Sequence, residues 1–280
     1  MLFREKKAEK YNWRFELKYR ISPQQYNCVK NALLPYMKLD NYTRVSPSGS
    51  YLVRSLYFDT FDFKAYHEKM GGDFGRIKIR VRSYTDQESG DLPLRVELKT
   101  RRGSAMEKFS TFIPAWSFSE FLKTWHWPDN INKNDPVLVE FERLLHLRTL
   151  RPKILVAYQR EGFASRSRED LRITLDHHVR SASASTLFPQ SPFFRDHHRY
   201  TTILEIKCRN QRPAWLTELV KRHSLKVVAN SKYTQGIEAV RPDVVNPRWS
   251  QGSLERRGLI THKKKIITPS APAPRFPGSY

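Results

Sequence analysis

Charged and apolar side chains alternate residue by residue along several stretches of this chain, a period of two that marks β-strands with two unlike faces. The first stretch sets Arg14, Glu16, Lys18 and Arg20 against Phe15, Leu17, Tyr19 and Ile21. The pattern returns in Arg76, Lys78, Arg80 and Arg82 against Ile77, Ile79 and Val81, and in Arg95, Glu97, Lys99 and Arg101 against Val96 and Leu98. It returns again in Arg172, Thr174 and Asp176 against Ile173 and Leu175, and in Glu205, Lys207 and Arg209 against Leu204, Ile206 and Cys208. Residues 51–59, 107–113 and 154–165 add further strand candidates, making about eight. Helical spacing predicts a helix over 22–37, where Ser22 can cap the first turn and Pro23 suits the first helical position. Shorter helices are expected over 62–70, 117–125, 136–147, 213–223 and 232–239. Strands dominate, so the expected class is antiparallel α+β.

The polar face of a half-solvated sheet ordinarily favours Thr, Tyr and β-branched residues. Five strands with two or more charges on one face point elsewhere. A closed eight-stranded antiparallel β-barrel turns one face into an interior with room for side chains and a slender ligand. The flanking helices would then cover the apolar faces from outside, giving a barrel turned inside out. Lys18, Lys78, Arg80, Arg82, Lys99, Lys108, Arg160, Arg172 and Lys207 would point inward, against Glu16, Glu97, Asp176 and Glu205. Such an excess of positive charge cannot be buried dry, so the interior is expected to hold water or an anion of matching charge.

Composition supports an anionic partner: Lys and Arg number 50 against 28 Asp and Glu, a formal charge of +22. Nucleic acid, an anionic membrane surface and a polyphosphorylated molecule all satisfy that charge. A linear polyphosphate also satisfies the shape of a tunnel, with Arg forks and Lys point charges on its oxygens. The glutamates suit a hard divalent ion such as Mn²⁺ or Mg²⁺. No apolar run approaches the roughly 18 residues of a membrane helix, and the first residues lack a signal-peptide pattern, so a cytoplasmic location is expected. Cys28 and Cys208 have no partner spacing for a disulfide framework or a zinc site. Residues 241–280 carry repeated prolines and the run Lys263, Lys264 and Lys265, and are expected to form a disordered basic tail. Residues 1–11 read as an N-terminal extension, leaving 12–240 as the folded domain.

Eight motifs, FELKYRIS at 15–22, SLYFDT at 55–60, IKIRVRSY at 77–84, RVELKTR at 95–101, YQREGF at 158–163, LRITLD at 171–176, LEIKC at 204–208 and SKYTQGI at 231–237, occur in this order. Together they resemble the VTC domain, the polyphosphate polymerase domain of the vacuolar transporter chaperone complex and a member of the triphosphate tunnel metalloenzymes. The resemblance implies an eight-stranded tunnel that binds ATP and passes its terminal phosphate to a growing polyphosphate chain with divalent metal assistance. It implies phosphate-binding roles for Lys18, Arg80, Arg82, Lys99, Lys108, Arg160 and Arg172, with Lys232 closing one end; Lys78 and Lys207 are further anion-binding candidates. Glu205 is the leading metal-ligand candidate, with Glu16 and Glu97 secondary. The regulatory domain and membrane helices of the eukaryotic subunits have no counterpart in this sequence, which resembles stand-alone bacterial versions. A triphosphatase or nucleotidyl cyclase of the same fold, and a non-catalytic sensor of polyphosphate or inositol phosphates, remain as alternatives. No recognised nucleic-acid-binding module is present.

Other conspicuous residues have plainer readings. Asp59 and Asp62 in YFDTFD are expected to cap a helix, and Trp116, Trp125 and Trp127 to pack helices. The pairs His177–His178 and His197–His198 are expected in loops or at the surface rather than on a metal.

Overall fold

A computed structural model of the chain describes residues 14–245, except 104, 169 and 210. The N-terminal extension and nearly all of the expected tail, the lysine triplet included, lie outside the described residues. The strands are β1 (Arg14–Ile21), β2 (Met37–Leu39), β3 (Tyr51–Asp59), β4 (Gly75–Ser83), β5 (Pro93–Arg102), β6 (Ala105–Pro114), β7 (Arg151–Ser165), β8 (Arg172–Ser183), β9 (Arg195–Asp196) and β10 (Thr202–Arg209). The helices are α1 (Pro23–Leu33), α2 (Asn41–Val45), α3 (Lys64–Met70), α4 (Ala115–Thr124), α5 (Pro136–Leu147), α6 (Ala214–Arg222), α7 (Lys232–Val240) and α8 (Pro242–Val245). The last of these places a helical turn where the sequence pointed to the start of a disordered tail.

The α+β class stands, and the strands form one antiparallel sheet ordered β1-β10-β8-β7-β3-β4-β5-β6, with β2 and β9 added beside β7 and β8. Two expectations are corrected. The sheet has ten strands rather than eight, because β2 and β9 are too short to show a period. It is also not closed into a barrel: among the described strands β1 pairs with β10 alone, and β6 with β5 alone. The free edge of β1 is instead met by the chain ahead of α7, where Val227 bridges Tyr19 and Val228 N–H donates to the Lys18 carbonyl at 2.8 Å. Side chains still span the gap, since Lys99 of β5 lies 3.8 Å from Glu16 of β1.

Alternation sorts the faces as the sequence indicated. On the convex side Leu56, Phe58, Ile79, Val81, Val96 and Leu98 bury themselves against Phe118, Phe121 and Phe141 of α4 and α5. Tyr19, Ile173, Leu204 and Ile206 do the same with Val29 and Leu33 of α1 and Leu216 of α6. Helix α1 starts in a full capping box: the Ser22 hydroxyl accepts from Gln25 N–H, and the Gln25 side chain accepts from Ser22 N–H. The concave side is not uniformly charged. At one end Tyr233 and Ile237 of α7 pack with Val53, Tyr57, Ile154, Val156 and Tyr158, so this helix fills part of the space that the sequence assigned to charge. Gly236 permits the approach, because a Cβ there would stand 2.8 Å from Ser181 Oγ and 3.0 Å from Ile154 Cγ2.

Of the two aspartates expected to cap a helix, Asp59 does so for α3, accepting from Ala65 N–H at 2.9 Å and Tyr66 N–H at 3.3 Å, and it also accepts from the Tyr233 hydroxyl of α7; Asp62 instead accepts from the Thr60 hydroxyl at 2.5 Å. Trp127 is buried, stacks on Phe121 and donates its indole N–H to the Leu138 carbonyl at 3.1 Å.

Candidate functional site

Pairing across the sheet builds the site. In β4, β5 and β6 the residues Lys78, Lys99 and Lys108 stand directly opposite one another, and Arg80 stands opposite Glu97. Like charges in register are destabilising unless something of opposite sign sits over them. Here Glu97 does so for part of the wall. It accepts from Arg80 Nε at 2.5 Å, lies 3.8 Å from Arg82 and 4.0 Å from Arg95, and also pairs with Lys108. Burial opposes its charge, but Arg80, Arg82 and Lys108 outweigh burial and hold its carboxyl well below the usual range. Arg80 is completed by the Tyr57 hydroxyl at 2.7 Å, and Arg82 by Ser55 Oγ at 3.2 Å.

A second group lies on β1 and β10, where Lys18 stands opposite Glu205 and Glu16 opposite Lys207. Lys18 Nζ is 3.0 Å from Glu16 and 3.6 Å from Glu205, and Lys207 is 2.5 Å from Glu205. Glu205 is held well below its ordinary value: burial raises it, and Lys207, Lys18, Lys232 and Arg160 more than reverse that. Thr174, opposite Glu205 on β8, keeps its hydroxyl buried without a hydrogen-bond partner among the described residues.

The third group joins β7, β8 and α7. Arg160 forks onto both oxygens of the fully buried Asp176, at 2.6 and 2.8 Å, and Lys232 reaches the same carboxylate at 2.5 Å. Burial would raise the Asp176 carboxyl, yet Arg160 and Lys232 bring it down to about 2. Arg172 is half exposed at the rim, 2.8 Å from Asp40 and 3.5 Å from the Tyr51 hydroxyl.

Lys78 is the exception among these cations. It donates to Ser231 Oγ at 2.9 Å and lies near the Tyr233 ring, with no carboxylate partner among the described residues. Burial, then repulsion from Lys18, Lys99, Lys69 and Arg80, lowers its pKa to about 7. Burial likewise lowers Lys99 and Lys108, with Glu16 and Glu97 opposing it.

The structure therefore brings the expected cations into three groups on one concave face, with Arg172 at its edge. The three acidic metal candidates are not gathered into one cluster. Glu16 and Glu205 share Lys18, whereas Glu97 is occupied by basic side chains. Sequence reasoning left Asp176, Tyr57 and Asp40 out of the site. Asp176 was at least legible as an inward carboxylate of LRITLD; the other two had no pattern to mark them. Of the histidines, His177 departs from expectation, half-buried on β8 and bonded to Glu161 at 2.8 Å and Thr202 at 3.0 Å. His178 is exposed, and His197 and His198 lie in the bend after β9 as expected, with His197 bonded to Ser181 at 2.7 Å.

The residues expected in the site thus share one face of a curved antiparallel sheet, arginines and lysines around a few buried carboxylates, with helices on the other side. The chain belongs to the VTC domain family, whose model matches residues 13–241. That membership assigns it a phosphate-related function. No curated protein matches the sequence. Similar solved structures include a Bacillus halodurans protein provisionally assigned as an adenylate cyclase, with TM-score 0.44 and 15% identity over 79% of this chain and 94% of that one. A Pyrococcus horikoshii protein gives TM-score 0.42 and 10% identity over 81% and 99% of the two chains. The Mimivirus capping enzyme triphosphatase gives 0.21 and 11% over 72% and 96%. No helix among the described residues is long and apolar enough to cross a membrane.

Proposed function

We propose that this protein is a polyphosphate polymerase, transferring the γ-phosphate of ATP to the end of an inorganic polyphosphate chain lying along the concave face. The observation that carries the reading is the lysine row Lys78–Lys99–Lys108, three basic side chains in register with, among the described residues, one carboxylate each at most and none for Lys78. Repelling cations held at a fixed spacing on a sheet suit an anion with charges repeated along a line.

In this reading Arg80, Arg82, Lys99 and Lys108 bind the phosphates from one wall and Lys18, Lys207, Arg160 and Lys232 from the other, while Lys78 is drawn into the charged state by the ligand. Phosphoryl transfer asks little covalent work of a protein; alignment and charge neutralisation supply most of the acceleration. The two walls hold attacking and leaving groups in line, and their guanidinium and ammonium groups neutralise the charge that moves to the leaving diphosphate. Glu205 with Glu16 fits a hard divalent ion of the Mn²⁺ or Mg²⁺ kind, and the unpartnered Thr174 hydroxyl supplies a further oxygen beside Glu205. Such an ion would supply charge neutralisation for the phosphates. Lys18 and Lys207 hold these carboxylates meanwhile and are positioned to turn to phosphate when it arrives. Glu97 serves as counter-ion to Arg80 and Lys108.

The test uses γ-labelled ATP with Mn²⁺ and a gel that resolves polyphosphate, comparing the wild type with Lys99→Ala and Glu205→Gln. A labelled ladder that both substitutions abolish supports the reading. Orthophosphate alone would make the protein a triphosphatase, and tight polyphosphate binding without turnover would make it a sensor.

A further inference from the structure

On the convex side, away from the concave face, His126, Glu142 and His146 bring three ligand atoms within 4.8 Å of one another. We propose that these residues bind a transition-metal ion of the zinc class, independently of the reaction proposed above.

The local fold explains why they meet. Helix α4 ends on Trp125, whose φ of 62° turns the chain sharply, and Trp127 anchors the far side of that turn in the core. His126 is thereby presented between two fixed residues. Glu142 and His146 are one helical turn apart on α5 and share a face. The carboxylate is already oriented: Glu142 Oε2 accepts from Trp127 N–H at 3.1 Å, and Oε1 lies 2.8 Å from His126 Nδ1. His146 is oriented too, with Nε2 at 3.0 Å from the Trp125 carbonyl, and the two imidazoles stack with centroids 5.0 Å apart. A tetrahedral zinc site places neighbouring ligand atoms about 3.3 Å apart, so a small rotation of His126, 67% exposed, closes the set.

Chemistry selects the ion. Two imidazoles and one carboxylate match zinc, nickel and copper, whereas the oxygen set of Glu16 and Glu205 matches Mn²⁺ or Mg²⁺. The three residues help to line a groove of about 450 Å³ that also holds Lys133 and Arg143. Its two cations do not compete for the carboxylate, because Lys133 pairs with Asp129 and Arg143 with Glu140 at 2.7 Å. The bound ion would staple the 125–127 turn to α5, which carries much of the convex core.

Metal-free full-length protein titrated calorimetrically with Zn²⁺ is expected to bind one ion at this site with micromolar affinity. His126→Asn and His146→Asn should each weaken that binding at least tenfold, while Glu205→Gln leaves it unchanged. Unaltered zinc binding in the His126→Asn/His146→Asn double variant, or affinity no tighter than millimolar in the wild type, overturns the proposal. Paramagnetic Co²⁺ added to the wild type gives a check that needs no variant: the imidazole resonances of His126 and His146 should shift first, and early shifts confined to other histidines overturn it.

Discussion

Lys78→Met removes the most strained charge of the concave face while changing little else. Burial and the neighbouring Lys18, Lys99, Lys69 and Arg80 bring the Lys78 pKa from 10.5 to about 7. At about 1.4 kcal/mol per pKa unit the upper bound on this penalty is about 5 kcal/mol, and screening by water on an open face reduces it to about 2–3 kcal/mol. The sign follows from linkage. The folded pKa lies below the unfolded one, so the unfolded chain holds more protons between pH 7 and pH 10.5; stability rises with pH through that window, and the penalty is complete below pH 7. In urea unfolding the variant should therefore be about 2 kcal/mol more stable than the wild type at pH 7, with the advantage shrinking by about pH 9.5. An anion that restores the charge must bring a proton with it. Calorimetry of polyphosphate binding at about pH 8.5, in buffers of different ionisation enthalpy, should show uptake of about 0.9 proton by the wild type and almost none by Lys78→Met. A variant less stable than the wild type at pH 7, with proton uptake unchanged, would refute the argument.

Three further outcomes follow from the same contacts. Glu97→Gln leaves Arg80, Arg82 and Lys108 without their counter-ion and should cost about 3 kcal/mol in thermal unfolding, part of it recovered on adding polyphosphate; recovery no greater than in the wild type would contradict this. Asp176 and Glu161 both titrate at about 2 in the folded chain, below their unfolded values, so their stabilisation is complete above about pH 4.5 and is lost as pH falls toward 2. Near-ultraviolet circular dichroism should stay native at about pH 4 and collapse below about pH 3, and an acid transition centred above pH 4.5 would count against these pairs. Gly162→Ala drives a methyl group into the Asp40 carboxylate, which caps α2 and holds Arg172; it should cost about 1–3 kcal/mol in urea unfolding, and a neutral result would show that Asp40 can move aside.

The period-two alternation made the strands and their charged faces legible, because every inward residue of β1, β4, β5 and β10 is fixed once one is known. Lys18, Arg80, Lys99 and Glu205 were therefore found together. Closure was not legible: whether β1 meets β6 depends on what covers the β1 edge, and Val227 and Val228 carry no strand pattern that announces that role. The apolar end of the concave face was missed for a related reason. Tyr233 and Ile237 have ordinary helical spacing, and only the packing of α7 shows that they turn inward onto Tyr57 and Val156. Strand β2 and helix α2 are too short for a period, so Asp40 was invisible until the fold placed it beside Arg172. His126 and His146 are 20 residues apart with no motif between them, and the turn at Trp125 brings them together.

The most direct test supplies the wild-type protein with ATP labelled at the γ-phosphate in one reaction and at the α-phosphate in another, both with Mn²⁺, and follows where each label goes. The account predicts that the γ label enters a nuclease-resistant polymer that an exopolyphosphatase degrades, while the α label stays in ADP. A γ label found only in orthophosphate, or an α label found in a cyclic nucleotide, would contradict it.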